Sequence, residues 1–165
     1  PDAAISLFDE TAPATPDQMI GRWRGHEVKT GHPMEGMLSA AYWHGKEFRD
    51  DETVFPLVHN VPVWGEMRLN PARLPIDLVT ALPARDRLLP LVFPVLAPFF
   101  RTTRPRARLR CVTFRERTHA AMIYDGLPII DYFACLAPDV RLGWMQRRGD
   151  DQPFFFRLTR EPSPR

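Results

Sequence analysis

Cysteine is scarce: Cys111 and Cys135 are the only two in 165 residues, too few for a disulfide framework or a thiolate zinc site. They read as small core residues in a reducing compartment. An excess of charge is also missing. Twenty-two basic and 20 acidic residues leave a net charge of +2, which excludes a nucleic-acid binder that works by bulk charge. The longest apolar run, Leu88 to Phe100, has 13 residues and three prolines. That is short of the roughly 20 residues a helix needs to cross a bilayer, so no integral membrane segment is expected. No basic start, apolar run and small-residue cleavage site opens the chain, and a soluble, cytoplasmic protein is the expectation.

Familiar catalytic motifs are missing as well. His26, His32, His44, His59 and His119 are scattered without a paired helical spacing, so no metal is expected. Ser39 lacks the glycines of a nucleophile elbow, and Gly45-Lys46 lacks the rest of a phosphate loop. No cofactor is expected from these patterns.

What is present is proline and aromatic surface. Eighteen prolines are about twice the usual share of roughly 5%. Proline inside a helix costs about 3 kcal/mol, which argues against a helical bundle. From Gly21 the chain becomes a series of short segments divided by turn signals, the all-β pattern. The predicted strands are 22–29, 42–49, 54–60, 63–69, 106–115, 118–124, 128–136, 140–147 and 154–160. Residues 118–136 are apolar at both parities, so those strands are covered on both faces. A sheet closed on itself, with something packed outside it, does this. The expectation is one antiparallel β-barrel domain of about eight to ten strands over 1–165, oligomeric state open. It divides into an arm (1–20), a first strand group (21–69), a Pro-rich insert or lid (70–105) and a C-terminal meander (106–160). Eight prolines between Pro62 and Pro105 predict broken helical turns or irregular chain in the insert.

The first strand opens Gly21-Arg22-Trp23-Arg24-Gly25-His26. Thr30-Gly31-His32-Pro33, Trp43-His44-Gly45-Lys46-Glu47-Phe48 and Val54-Phe55-Pro56-Leu57 follow, with Ala107-Arg108-Leu109-Arg110 and Tyr124-Asp125-Gly126-Leu127-Pro128 downstream. This order resembles the GXWXG-domain family, whose N-terminal module precedes a C-terminal domain of unknown function; the likeness spans about 20–60 and 106–160. The resemblance implies a lipocalin-like barrel and supplies no catalytic residues. In such barrels the tryptophan plugs the closed end under a late-strand arginine. Trp23 is the plug, and Arg157 is the candidate cation. Related-looking barrels can hold haem, which keeps a single-histidine haem site as a minor alternative.

Asp131, in Pro-Ile-Ile-Asp-Tyr-Phe, is predicted to be buried, and a buried carboxyl must be paired, hydrogen-bonded or protonated. Two readings stand: a structural ion pair with an inward arginine, or a pocket acid able to move protons. Val112 and Phe114 continue the parity of Arg106, Arg108 and Arg110. That makes Arg110 an inward candidate, while an outward stripe is the plainer reading. Tyr124 could aim its hydroxyl into the barrel. Lys46 reads as a solvated strand residue or as an anion-binding pocket residue. Trp43, Phe55, Trp64, Met122, Phe133 and Phe156 are candidate pocket walls. The leading function is binding of a small apolar molecule. The alternative is cofactor-independent acid–base chemistry, as in an isomerase, cyclase or lyase, with Asp131, Tyr124 and Arg110 as the catalytic group.

Overall fold

The computed structural model describes residues 1–162. Nine strands form: β1 (Gly21–Glu27), β2 (Trp43–Phe48), β3 (Val54–Val61), β4 (Gly65–Arg68), β5 (Ala107–Phe114), β6 (Arg117–Tyr124), β7 (Ile129–Ala137), β8 (Val140–Arg147) and β9 (Phe154–Arg160). The sheet runs β2-β1-β9-β8-β7-β6-β5-β3-β4, and a β2–β3 pairing closes it. The result is an eight-stranded antiparallel barrel from which β4 hangs on the outer end of β3. The β3–β5 seam is thin, with Val54 opposite Ala107 as its registered pair.

Helices close the ends and cover one face. α1 (Asp2–Glu10) completes its turns before Pro13, and it lies outside the barrel. Its Phe8 packs on Phe114, His119 and Trp144 in a second, exterior apolar cluster. This explains the two apolar parities of the meander: one face lines the barrel, the other sits under α1. α2 (Pro16–Met19) caps one mouth, and α3 (Met37–Ala40), α4 (Ile76–Ala81) and α5 (Arg85–Phe100) cover the other side.

The Pro-rich insert departs from expectation. α5 is one continuous 16-residue helix containing Pro90, Pro94 and Pro98. Each proline removes the N–H that would bond the carbonyl four residues back, which frees the carbonyls of Asp86, Pro90 and Pro94. Two of the three find donors elsewhere. The Tyr42 hydroxyl donates to Pro90 O at 3.0 Å, and Trp64 Nε1 donates to Pro94 O at 2.9 Å. Spacing the prolines by four puts the freed carbonyls on one stripe, where the barrel supplies those donors. Among the described residues no helix is long and apolar enough to cross a membrane.

At the mouth capped by α2, Trp23 is fully buried. Its Nε1 donates to Met19 O at 2.7 Å, and Arg160 and Arg141 lie 4.3 and 5.0 Å from the ring centroid. Arg160 replaces the expected Arg157. Phe154, Phe156 and Leu158 point inward, so Arg160 shares their parity and sits opposite Trp23, whereas Arg157 faces solvent.

Candidate functional site

Two bulges bring the site together. Between Trp43↔His59 and Gly45↔Val58 an extra residue enters β2, and between Gly45↔Val58 and Glu47↔Phe55 an extra residue enters β3. The first lets Trp43 and Lys46, three apart, both face the interior. Gly45 is required there, because a Cβ would lie 1.9 Å from the Trp23 carbonyl oxygen. Gly25 makes room for the indole, since a Cβ would sit 2.2 Å from the Trp43 ring. The Gly-x-Trp-x-Gly motif thus leads through Gly25 to Trp43, and Trp43 to Lys46.

Lys46 Nζ stands 2.9 Å from Asp131 Oδ2, and 3.3 Å from both the Tyr124 hydroxyl and Pro56 O. Pro56 falls at the β3 bulge, where a residue without an N–H does no harm to the ladder. The rings of Trp43, Tyr124 and Phe156 surround the ammonium at 5.6, 5.6 and 4.8 Å. Asp131 is 0% exposed and Lys46 4%. Burial pulls Lys46 down from the usual lysine range while Asp131 pulls it back up. Burial likewise pushes the Asp131 carboxyl up against the opposing charge of Lys46, and burial together with the carboxylate pushes the Tyr124 hydroxyl well above its ordinary value. Both charged partners are driven toward their neutral forms. Lys46 approaches Oδ2, while Asp131 Oδ1 has no hydrogen bond among the described residues, so the carboxyl keeps acceptor capacity.

These groups border an otherwise apolar chamber of about 60 Å³, walled by Met34, Met145, Leu127, Ile129, Phe154 and Phe156. A second apolar chamber, about 100 Å³, lies beneath α5. The two share Met37, Leu38, Leu57, Leu74 and Ile76 as walls. An engineered apolar cavity of about 150 Å³ accepts benzene, so each chamber alone suits only a small group.

Residues 6–61 match the GXWXG protein family, and residues 105–160 match the Domain of unknown function (DUF4334). The crystal structure of a protein from Thermomonospora curvata is 31% identical, with 98% of this chain and 87% of that chain covered and a TM-score of 0.73. The chain belongs to the GXWXG family. No curated protein matches it.

In this GXWXG protein the predicted residues divide by face. Asp131, Tyr124, Lys46, Trp43 and Phe156 meet at one chamber. The inward partner of Asp131 is a lysine rather than an arginine. Met122 and Phe133 are interior, packed beside the chamber instead of lining it. Three expectations are corrected. Arg110 faces outward, bonding Glu52 and the Asp51 carbonyl. Its parity looked inward only because Val112 and Phe114 are covered from outside by α1. Phe55 is turned out by the β3 bulge and sits between Arg49 and Arg68, with ring distances of 5.0 and 4.9 Å. Trp64 is 56% exposed at the β3–β4 turn, held by its bond to α5.

His59 escaped the sequence reading, which saw only a lone histidine in a strand. Its Nδ1 lies 2.7 Å from Ala41 O, its Nε2 has no hydrogen-bond partner among the described residues, and its ring tilts against Phe93 in the chamber under α5. Burial lowers its pKa from 6.5 to about 4. Below about pH 6.5 the unfolded chain takes up a proton that the folded protein refuses until about pH 4. Its stabilising share is therefore present above pH 6.5 and is lost as the pH falls through that window, about 3 kcal/mol in all. His59→Gln should lose less stability than wild type between pH 7 and 4, by about this amount in denaturant titrations. Equal losses in both proteins would refute the assignment.

Proposed function

We propose that this protein binds a small, largely apolar molecule with one polar end, held against Lys46 and Asp131. The observation that carries this is a buried Lys–Asp pair at 2.9 Å set on the wall of an apolar chamber instead of inside packed core. An ion pair with no use is a poor stabiliser, because desolvation offsets most of its attraction. Asp131 Oδ1, which is not the oxygen that Lys46 approaches and has no hydrogen bond among the described residues, offers an acceptor to a ligand hydroxyl or amine, and Tyr124 offers a donor. Sharing of walls between the two chambers supports a ligand longer than either one, with Met37 and Leu38 shifting to admit it.

The test is native mass spectrometry of the purified protein after exposure to a lipid and terpenoid extract. Molecules with an apolar body and a single polar end should be retained. Lys46→Met should lower retention at least about tenfold, equivalent to 1.4 kcal/mol, and Met37→Trp should block it by filling the shared wall. No retained molecule, or retention unaltered in both variants, would contradict the binding reading.

The second reading is acid–base catalysis on the same molecule, and the raised Asp131 carboxyl favours it. In a double-bond isomerisation the carboxylate would take a proton from one carbon and return it to another, with Tyr124 donating to a developing oxyanion. Such a reaction needs no redox partner. Arg110 plays no part in it, being on the outer face.

A further inference from the structure

α5 is apolar on two sides. Leu89, Phe93 and Phe100 face the chamber beneath it. The outward side carries Leu88, Leu91, Val95 and Phe99, which are 49, 73, 68 and 73% exposed, and Val92 and Leu96, 47 and 42% exposed, extend it toward the chamber edge. This stripe follows the spacing i, i+3, i+4, i+7, i+8, i+11, a single continuous helix face. No charge interrupts 88–100. The adjacent β3–β4 turn adds Val63, 97% exposed with a left-handed φ of 73°, and the half-exposed ring of Trp64. An apolar surface of this extent marks a place where something docks.

We propose that this face docks on an anionic lipid bilayer, from which the protein takes up or releases a membrane-dissolved apolar molecule. Charge at the rim selects this occupant. Arg87 precedes the stripe and Arg101 and Arg104 follow it, all exposed and none in an ion pair among the described residues. The acid beside them, Asp86, turns toward Gly36 and Arg85. Two copies packed through α5 about a two-fold axis would bring these arginines onto one another, whether the helices ran parallel or antiparallel. Anionic headgroups meet them favourably, while the apolar stripe enters the acyl boundary and Trp64 sits at headgroup level. Val92 and Leu96 both line the chamber under α5 and reach its exposed face. A ligand leaving the bilayer at this face thus reaches the chamber without crossing water. The exchange role rests on the binding reading above; docking on the bilayer does not.

The test is co-sedimentation with vesicles of phosphatidylcholine alone and of phosphatidylcholine with phosphatidylglycerol, alongside the mass in solution by light scattering. The protein should pellet with the mixed vesicles at low salt, and salt should weaken binding. Arg87→Glu/Arg101→Glu/Arg104→Glu should weaken it at least about tenfold. Leu91→Glu/Phe99→Glu should abolish it without altering the melting temperature, since both residues are exposed. Absence of binding to either vesicle would overturn the proposal, as would undiminished binding of the Leu91/Phe99 variant. A two-chain mass that falls to one chain in that variant would assign the face to a second copy instead. Vesicle binding without any retained small molecule would leave the docking surface standing and reject only the exchange role.

Discussion

Asp131→Asn is expected to lower stability by about 3–5 kcal/mol, because it leaves the Lys46 ammonium buried among Trp43, Tyr124 and Phe156 with no counter-charge. Lys46 can answer only by giving up its proton, the direction in which burial already pushes it. Removing both charges tells a different story. Lys46→Met/Asp131→Leu keeps the volume and eliminates two desolvated ions, so it should be at least as stable as wild type. If the pair exists to hold a ligand, that stable double variant should still lose retention at least about tenfold. If it exists for proton transfer, Asp131→Asn at a temperature where it remains folded should cut turnover about 10²–10⁴-fold with affinity largely kept. Denaturant titrations, ligand retention and turnover separate these outcomes. A double variant with unchanged retention and no activity to lose would leave the pair without a functional role.

Trp23→Ala should cost about 3–5 kcal/mol, the range for a buried large aromatic. More than a cavity is created. Arg160 and Arg141 lose the ring beneath them, and Met19 O loses its donor. Trp23→Phe, which keeps the ring face and drops the hydrogen bond, should recover most of the loss. A melting temperature unaltered in Trp23→Ala would show that this mouth is held shut by α2 alone.

The strand positions were legible because turn residues divide the chain cleanly and the resemblance fixes their order. Asp131 was legible because a carboxyl flanked by Ile130 and Tyr132, with Ile129 and Phe133 two positions away, meets apolar side chains at either parity. Lys46 as its partner was not, since strict alternation from Trp43 sends position 46 to solvent; only the bulge at Gly45 reverses that. The same arithmetic failed at Phe55. Arg110 and Arg157 failed for another reason: where both parities are apolar, as in Phe154-Phe155-Phe156, periodicity cannot say which face is the interior. An outer helix makes such faces equivalent in the sequence. α5 is not legible because its prolines read locally as missing donors, while the side chains that compensate lie 48 and 30 residues away in the chain.

That compensation fixes when α5 can exist. A detached 85–100 segment would hold its freed carbonyls in water and pay the nucleation cost of a short helix with nothing to set against it. Tyr42 and Trp64 come into position only once β2, β3 and β4 have paired. The helix is therefore expected to form after these strands during folding and to open at a free energy below that of global unfolding. Amide exchange along this segment should then be faster than in the barrel strands, and such an opening would lift the roof of the α5 chamber while the barrel beneath it stays closed.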